Sequence, residues 1–248
     1  VKVLILGAGK MVESIVKGLN ADLSDWGIYS PSGQKARVLS QSVGARFVES
    51  LDGIGSPEYV ILGCKPQQLP EVSYKNPAST YISLLAALSE EHQRSILGVP
   101  KLIRVMPNLA VEFKAGVSLI SSTSVEDLSF VKELFGKLGV AQIVSDSELE
   151  ELTVLTGSGP ALFYEFTKSL SENFTSLDPK TRESLARQVL IGSGAMVKES
   201  EASLAELIDS VTSKKGVTIE VLQKWRQESL KDFISEGINS GKSLTHHK

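Results

Sequence analysis

The stretch Val1-Lys2-Val3-Leu4-Ile5-Leu6-Gly7-Ala8-Gly9-Lys10-Met11 decides how the first half of the chain is read. The apolar run Val3–Leu6 has the length and composition of a buried strand. It stops at Gly7, and then the spacing of apolar residues changes: Met11, Ile15, Val16 and Leu19 share one helical face. A strand that turns through Gly-Ala-Gly into a helix is the opening of a dinucleotide-binding unit. Gly7 permits the tight turn, and Gly9 lets the backbone approach a pyrophosphate. The helix that starts at Lys10 and Met11 offers free N–H groups and a favourable dipole to phosphate oxygens. The third glycine of the usual fingerprint is absent, and Val12 stands in its place. That position serves close helix–strand packing more than phosphate chemistry. A plain glycine turn in an α/β protein is the bland alternative.

Outward from this turn the two periods keep alternating. Apolar runs at Gly27–Tyr29, Arg46–Val48, Tyr59–Cys64, Tyr81–Leu85 and Leu102–Met106 predict further buried parallel strands. Two more, Val117–Ile120 and Gln142–Val144, flank a helix with Val131, Leu134, Phe135 and Leu138 on one face. The alternation predicts an α/β fold over residues 1–145: an N-terminal Rossmann domain, a doubly wound sheet with helices on both faces. After Ser145 the strand signal ends. Ser147 with Glu150, and Ser203 with Glu206, have capping-box spacing. Asp178-Pro179 is an N-cap followed by proline at the first helical position. Ile219, Leu222, Trp225, Leu230, Phe233 and Ile238 fall near one stripe. Residues 146–248 therefore predict an all-helical C-terminal domain. Long amphipathic helices with no sheet to cover them predict a homodimer or higher homo-oligomer through this domain, with a self-contained bundle as the alternative.

The bulk properties narrow the partners. A chain of 248 residues fits two modest domains, and 42% apolar residues is ordinary for a protein with a real core. A net charge of −3 and a pI near 5.8 argue against nucleic acid as a partner. No apolar run reaches the roughly 18 residues of a membrane span, so no membrane role is expected. No secretory leader is read either. Cys64 is the single cysteine, which excludes an internal disulfide and favours a reducing, cytoplasmic setting. His92 is the only histidine outside the tail residues His246 and His247, which carry no functional weight; no metal site is expected.

The end of the second strand bears on which dinucleotide binds. An acidic residue there normally accepts the ribose 2′-hydroxyl of NAD. Tyr29-Ser30-Pro31-Ser32-Gly33-Gln34-Lys35 contains none. Ser30 and Ser32 can hydrogen-bond a 2′-phosphate and Lys35 can neutralise it, so NADP is expected, with NAD as the lesser alternative. Lys35 could equally be a solvated helix residue. Cys64-Lys65-Pro66-Gln67 follows the fourth strand at the carboxyl edge of the sheet, where ligands bind. Lys65 is a candidate contact and Pro66 fixes the turn. Cys64 reads as a small packed residue beside the cofactor rather than a nucleophile.

Three segments resemble the signatures of the pyrroline-5-carboxylate reductase family. Arg104-Val105-Met106-Pro107-Asn108 looks like its RVMPN element. Leu155-Thr156-Gly157-Ser158-Gly159-Pro160-Ala161 is similar to its LSGSGPA run. Val211-Thr212-Ser213-Lys214-Lys215-Gly216-Val217-Thr218-Ile219 aligns with its VTSPGGTTI loop. Cys64-Lys65-Pro66-Gln67 fits its VKPQ element, and the opening turn fits its GxGxM start. The resemblance covers nearly the whole chain, in the correct order. It implies NADPH-dependent reduction of the cyclic imine 1-pyrroline-5-carboxylate to proline, the last step of proline biosynthesis, with hydride passing to the imine carbon. It also implies residue roles. Ser213, Gly216 and Val217 would line the substrate carboxylate pocket, partly through backbone N–H groups at the start of a helix. Thr218 would be the catalytic hydrogen-bond donor beside the ring nitrogen. Pro107 and Asn108 would lie beside the nicotinamide. The bland roles are helix capping for Ser213 and Thr218, strand termination for Pro107 and a turn for Asn108.

The substrate loop departs from the family pattern. Lys214-Lys215-Gly216 stands where the family has Pro-Gly-Gly; proline restricts that turn and glycine permits φ > 0. Three outcomes are open: a distorted, poorly active loop, a stronger anion clamp that could take a second acidic group, or two merely solvated lysines. Lys168 stands at a commonly acidic position, Leu109-Ala110 replaces Thr-Pro, and Ala86-Ala87 replaces Ala-Gly. These departures motivate a second hypothesis, a weakly active or non-catalytic NADP-binding relative acting as a sensor or partner protein. A third, an NADP-dependent β-hydroxyacid dehydrogenase, needs a lysine one helical turn before an asparagine. Lys168 and Asn173 are five residues apart, on different helix faces.

Overall fold

The computed structural model describes residues 1–86, 88–123 and 126–245; the expectations attached to Ala87, His246 and His247 fall outside them. The chain forms two compact units, Val1–Gly157 and Ser158–Ser243.

The first unit is built on one sheet. Its strands are β1 (Val3–Leu6), β2 (Trp26–Tyr29), β3 (Arg46–Phe47), β4 (Tyr59–Leu62), β5 (Thr80–Ser83), β6 (Leu102–Pro107), β7 (Gly116–Ser121) and β8 (Gly139–Ile143). They lie in the order β3-β2-β1-β4-β5-β6-β7-β8. The chain winds outward from β1 to β3, then returns to place β4 on the other side of β1. That reversal opens a crevice at the carboxyl ends of β1 and β4, the place where doubly wound sheets bind ligands. Val3, Ile5, Ile28 and Ile61 pack into one core layer with α1 (Lys10–Leu19), α2 (Gln34–Val43) and α4 (Leu128–Gly136). Leu4, Leu6, Val60 and Leu62 pack into the other layer, with Leu69 of the 3-10 turn Pro66–Glu71 and Leu97 of α3 (Glu90–Leu97). Burial on both faces is why these strands read as uninterrupted apolar runs.

Two expectations about the sheet are corrected. β7 is antiparallel to β6, with Arg104 opposite Ser121 and Pro107 opposite Ser118. A parallel return needs a crossover of a dozen or more residues, and only residues 108–115, around the 3-10 turn Leu109–Phe113, join these strands. β8 is parallel to β7 but is not buried: it is the sheet edge, with Val140 and Ile143 exposed.

The change to all-helical structure follows β8. The cap of α5 (Asp146–Thr156) is Ser145 rather than Ser147. The Ser145 hydroxyl accepts the Glu148 N–H, and the Glu148 carboxylate accepts the Ser145 N–H at 2.7 Å. Glu150, the partner expected for Ser147, is drawn instead to Arg104 of β6. α5 packs on β6 and β7, so the compact division falls one helix after the change in secondary structure.

The second unit contains α6 (Gly159–Glu172), α7 (Pro179–Glu199), α8 (Leu204–Ser210), α9 (Val217–Gln227) and α10 (Leu230–Thr245). Asp178 caps α7 by accepting the N–H groups of Lys180 and Thr181 at 3.1 Å, with Pro179 opening the helix. Ser203 and Glu206 form the expected box on α8. The single stripe from Ile219 to Ile238 is divided. α9 ends at Gln227, Ser229 turns the chain with φ 56°, and Leu230 begins another helix. α7 buries none of its residues; Val189 and Ile191 are 61% and 63% exposed.

Candidate functional site

At the carboxyl end of β1 the backbone demands glycine. Gly7 has φ +122°, and a Cβ there would lie 2.5 Å from the carbonyl carbon and oxygen of Gly63. The turns after β1 and β4 touch at this point. Gly63 also accommodates Val12: a Cβ on Gly63 would lie 2.2 Å from Val12 Cγ2. The packing room usually left by the third fingerprint glycine is thus supplied by the neighbouring turn. Sequence reading missed Gly63, whose only signal was a glycine ending an apolar run. Gly9 is different. A Cβ there would meet nothing closer than the Gly63 oxygen at 3.8 Å, an ordinary contact. The protein leaves this side of the turn open, and α1 begins with no side-chain cap. An open glycine before free helical N–H groups fits a pyrophosphate. Lys10 is exposed beside it, and Met11 packs partly against the core.

The loop after β2 has the features of an anion cradle. Gly33 N–H donates to the Ser30 carbonyl at 2.8 Å, and Gln34 N–H donates to the Ser32 carbonyl at 2.7 Å. The Ser30 and Ser32 hydroxyls lie 3.4 Å apart. Gly33, at φ +67°, precedes α2, which has neither a side-chain cap nor an acidic residue in its first turn. Lys35 projects into solvent. Two hydroxyls, an ammonium and uncapped N–H groups suit a 2′-phosphate better than a free 2′-hydroxyl.

After β4, Lys65 is exposed, its N–H donates to Gln68 Oε1 at 3.0 Å, and Pro66 opens the 3-10 turn. Cys64 is half-buried and burial pushes its thiol pKa up, so it stays a neutral packing group.

Asn108, after β6, is committed to the fold. Its Oδ1 accepts the N–H groups of Ala110 at 3.2 Å and Val117 at 3.4 Å, and its Nδ2 donates to the Thr156 carbonyl at 2.9 Å. Pro107 is the buried last residue of β6. Arg104 is 1% exposed, with Nη1 and Nη2 each 2.5 Å from the carboxylates of Asp146 and Glu150. The Arg104–Asn108 segment therefore pins α5 at both ends. Neither role was visible in the sequence, because both depend on residues more than one element away.

In the second unit, the loop before α9 brings Ser213 and Gly216 together. Gly216 N–H donates to the Ser213 carbonyl at 3.0 Å, and a Cβ on Gly216 would lie 2.3 Å from Ser213 Oγ. Gly216 is the N-cap of α9 and supplies no side chain, so the capping role open to Ser213 is not taken up. Val217 and Thr218 occupy the exposed first turn. Lys215 has φ 62°, the left-handed conformation that glycine adopts freely. Lys215 therefore carries the strain of a left-handed turn that a glycine there would not. Lys214 and Lys215 are both exposed.

A doubly wound sheet with a glycine turn at its switch point and an acid-free loop after β2 defines the class: an NADP-dependent oxidoreductase, with a helical unit following the cofactor unit. A family model described as pyrroline-5-carboxylate reductase dimerisation matches residues 146–244, and one described as NADP oxidoreductase coenzyme F420-dependent matches residues 2–87. The pyrroline-5-carboxylate reductase of Pisum sativum is 30% identical over 228 residues, covering 86% of this chain and 84% of the relative. A pyrroline-5-carboxylate reductase structure from Coxiella burnetii superposes with a TM-score of 0.88 at 23% identity, over 99% of this chain and 97% of that one. The Plasmodium falciparum pyrroline carboxylate reductase with NADP bound gives 0.82 at 20% identity, over 99% and 97% of the two chains. At these identities the two structures speak for the fold. The chain belongs to the pyrroline-5-carboxylate reductase family. Among the described residues no helix is long and apolar enough to cross a membrane.

Proposed function

We propose that this protein reduces 1-pyrroline-5-carboxylate to proline with NADPH. The observation that carries the reading is family membership spread over 86% of the chain, joined to a cofactor turn whose Gly9 side the protein leaves open. Bound NADPH supplies the hydride. The chain's own residues do the rest. Gly7, Gly9, Lys10 and Met11 receive the pyrophosphate, and Ser30, Ser32 and Lys35 receive the 2′-phosphate. Cys64, Lys65, Pro66, Pro107 and Asn108 shape the adjoining edge of the site. Ser213, Gly216 and Val217 hold the substrate carboxylate with the uncapped N–H groups of α9. Thr218 Oγ1 donates a hydrogen bond to the ring nitrogen, which draws electron density from the C=N carbon and favours hydride arrival, and the nitrogen takes its proton from solvent, directly or relayed by that hydroxyl.

The domain roles follow: residues 1–145 for NADP, residues 146–248 for substrate and assembly. The apolar residues left exposed on α7 support a homodimer or higher homo-oligomer through the helical part, to be read by light scattering on the eluting protein. The lone, half-buried Cys64 supports a cytoplasmic setting. The left-handed backbone of Lys215 weighs against a non-catalytic relative, because the lysine does not remove the turn.

The test is loss of nicotinamide absorbance when pyrroline-5-carboxylate is added to protein and NADPH. Thr218→Ala is expected to slow turnover by about tenfold or more while NADPH affinity holds. No oxidation across a range of pH and substrate concentration would overturn the reading.

A further inference from the structure

One stripe of α1 faces the 3-10 turn Leu109–Phe113, and its members are Lys10, Ser14 and Gly18, spaced one helical turn apart. Gly18 sets the approach: a Cβ there would lie 2.2 Å from the Val111 carbonyl oxygen. One turn nearer the cofactor, the fully buried Ser14 donates its hydroxyl to Glu112 Oε2 at 3.0 Å. One turn further, at the end of α1 that meets the phosphate cradle, Lys10 Nζ lies 3.9 Å from that same oxygen. Lys10 also lies 3.7 Å from Glu13 Oε2, but Glu13 spends its other oxygen on Lys17 at 2.5 Å. Glu112 is therefore anchored by a buried hydroxyl and aimed at the Lys10 ammonium, which stands beside the glycine turn.

We propose that Glu112 is an internal competitor for Lys10. In the free protein its carboxylate engages the ammonium, and the dinucleotide phosphates must take that ammonium over to bind. The exchange is one ion pair for another; no covalent bond forms or breaks. Glu112 thereby lowers affinity for oxidised and reduced dinucleotide alike and hastens the exchange that each turnover requires. This inference rests on the cofactor reading above.

The test is NADPH binding without substrate, followed by nicotinamide fluorescence, in the unaltered chain, Glu112→Gln, Lys10→Met and the double variant. Glutamine keeps an acceptor for the Ser14 hydroxyl, so the packing of α1 is retained. Removing one unit charge about 4 Å from another in water changes an equilibrium about fivefold. Glu112→Gln is expected to lower the NADPH Kd by about that factor, with the gain shrinking at high salt. In the Lys10→Met background the same substitution is expected to change Kd by less than about twofold. Unchanged or weaker binding by Glu112→Gln overturns the inference, as does an equal gain without Lys10. Failure of the unaltered chain to bind NADPH overturns the cofactor reading and this inference with it, whereas binding by the unaltered chain with no response to Glu112→Gln overturns the inference alone.

Discussion

Replacing Arg104 by methionine separates the charge of this residue from its bulk. Methionine keeps an unbranched, flexible side chain in the same space, so the loss is chiefly electrostatic. Breaking a buried ion pair by removing one partner costs about 3–5 kcal/mol. The Asp146 and Glu150 side chains are 37% and 19% exposed, so both can regain water once Arg104 is gone. The cost therefore falls at the low end, about 3 kcal/mol. In a unit of this size that is a fall in Tm of about 6–12 °C. Glu150→Gln alone leaves Arg104 with Asp146 and should cost less, about 1–2 kcal/mol. In the Arg104→Met background, Glu150→Gln should be neutral or stabilising, because it removes a carboxylate that has lost its partner. Urea denaturation followed by circular dichroism, with calorimetry for Tm, measures all three. A cost below about 1 kcal/mol for Arg104→Met, or an equal cost of Glu150→Gln in both backgrounds, would refute the view that this pairing holds α5 to the sheet.

Four further outcomes are expected. Gly7→Ala forces a Cβ to 2.5 Å from the Gly63 backbone at φ +122°; it should cost about 3 kcal/mol or more and abolish NADPH binding. Gly9→Ala, where the space is open, should leave the urea midpoint nearly unchanged and still weaken NADPH about tenfold or more, and unaltered binding would argue against phosphate approach there. Lys215→Gly should stabilise the protein by about 0.5–1 kcal/mol, since release of left-handed strain exceeds the added freedom of the unfolded chain; a destabilised variant would show that the lysine makes contacts worth more than its strain. Cys64 should alkylate slowly with iodoacetamide at pH about 8.5, with its midpoint above the ordinary thiol range. Because the folded protein favours the neutral thiol, that contribution to stability is present below the ordinary thiol pKa and is lost as pH rises through the raised one. Alkylation as fast as that of an exposed thiol would contradict the burial.

What the sequence alone determined was whatever is written in short range. Each apolar run of the sheet became a strand, and in the central strands β1, β4 and β5 burial on both faces leaves a continuous apolar signature. Asp178 and Ser203 capped their helices, because a cap needs only residues two or three positions away. Gly7 and Gly9 were legible because the strand-turn-helix context is local too. Where local signals overlapped, tertiary structure chose. Ser145 with Glu148 and Ser147 with Glu150 offer the same box, and Arg104 settled the matter by engaging Glu150. The direction of β7 carries no periodic mark; the short link after Asn108 decided it. The bonds that tie the Asn108 side chain to Ala110, Val117 and Thr156 had no sequence signal beside its reading as a cofactor neighbour. Val12 looked like a defect in the fingerprint until Gly63 was seen to make room for it. The Ser14–Glu112–Lys10 arrangement has no sequence signal, since it joins a helix to a turn after a distant strand. Period and propensity are properties of a segment, whereas charge pairing, close backbone approach and strand polarity belong to pairs of segments that only folding brings into contact.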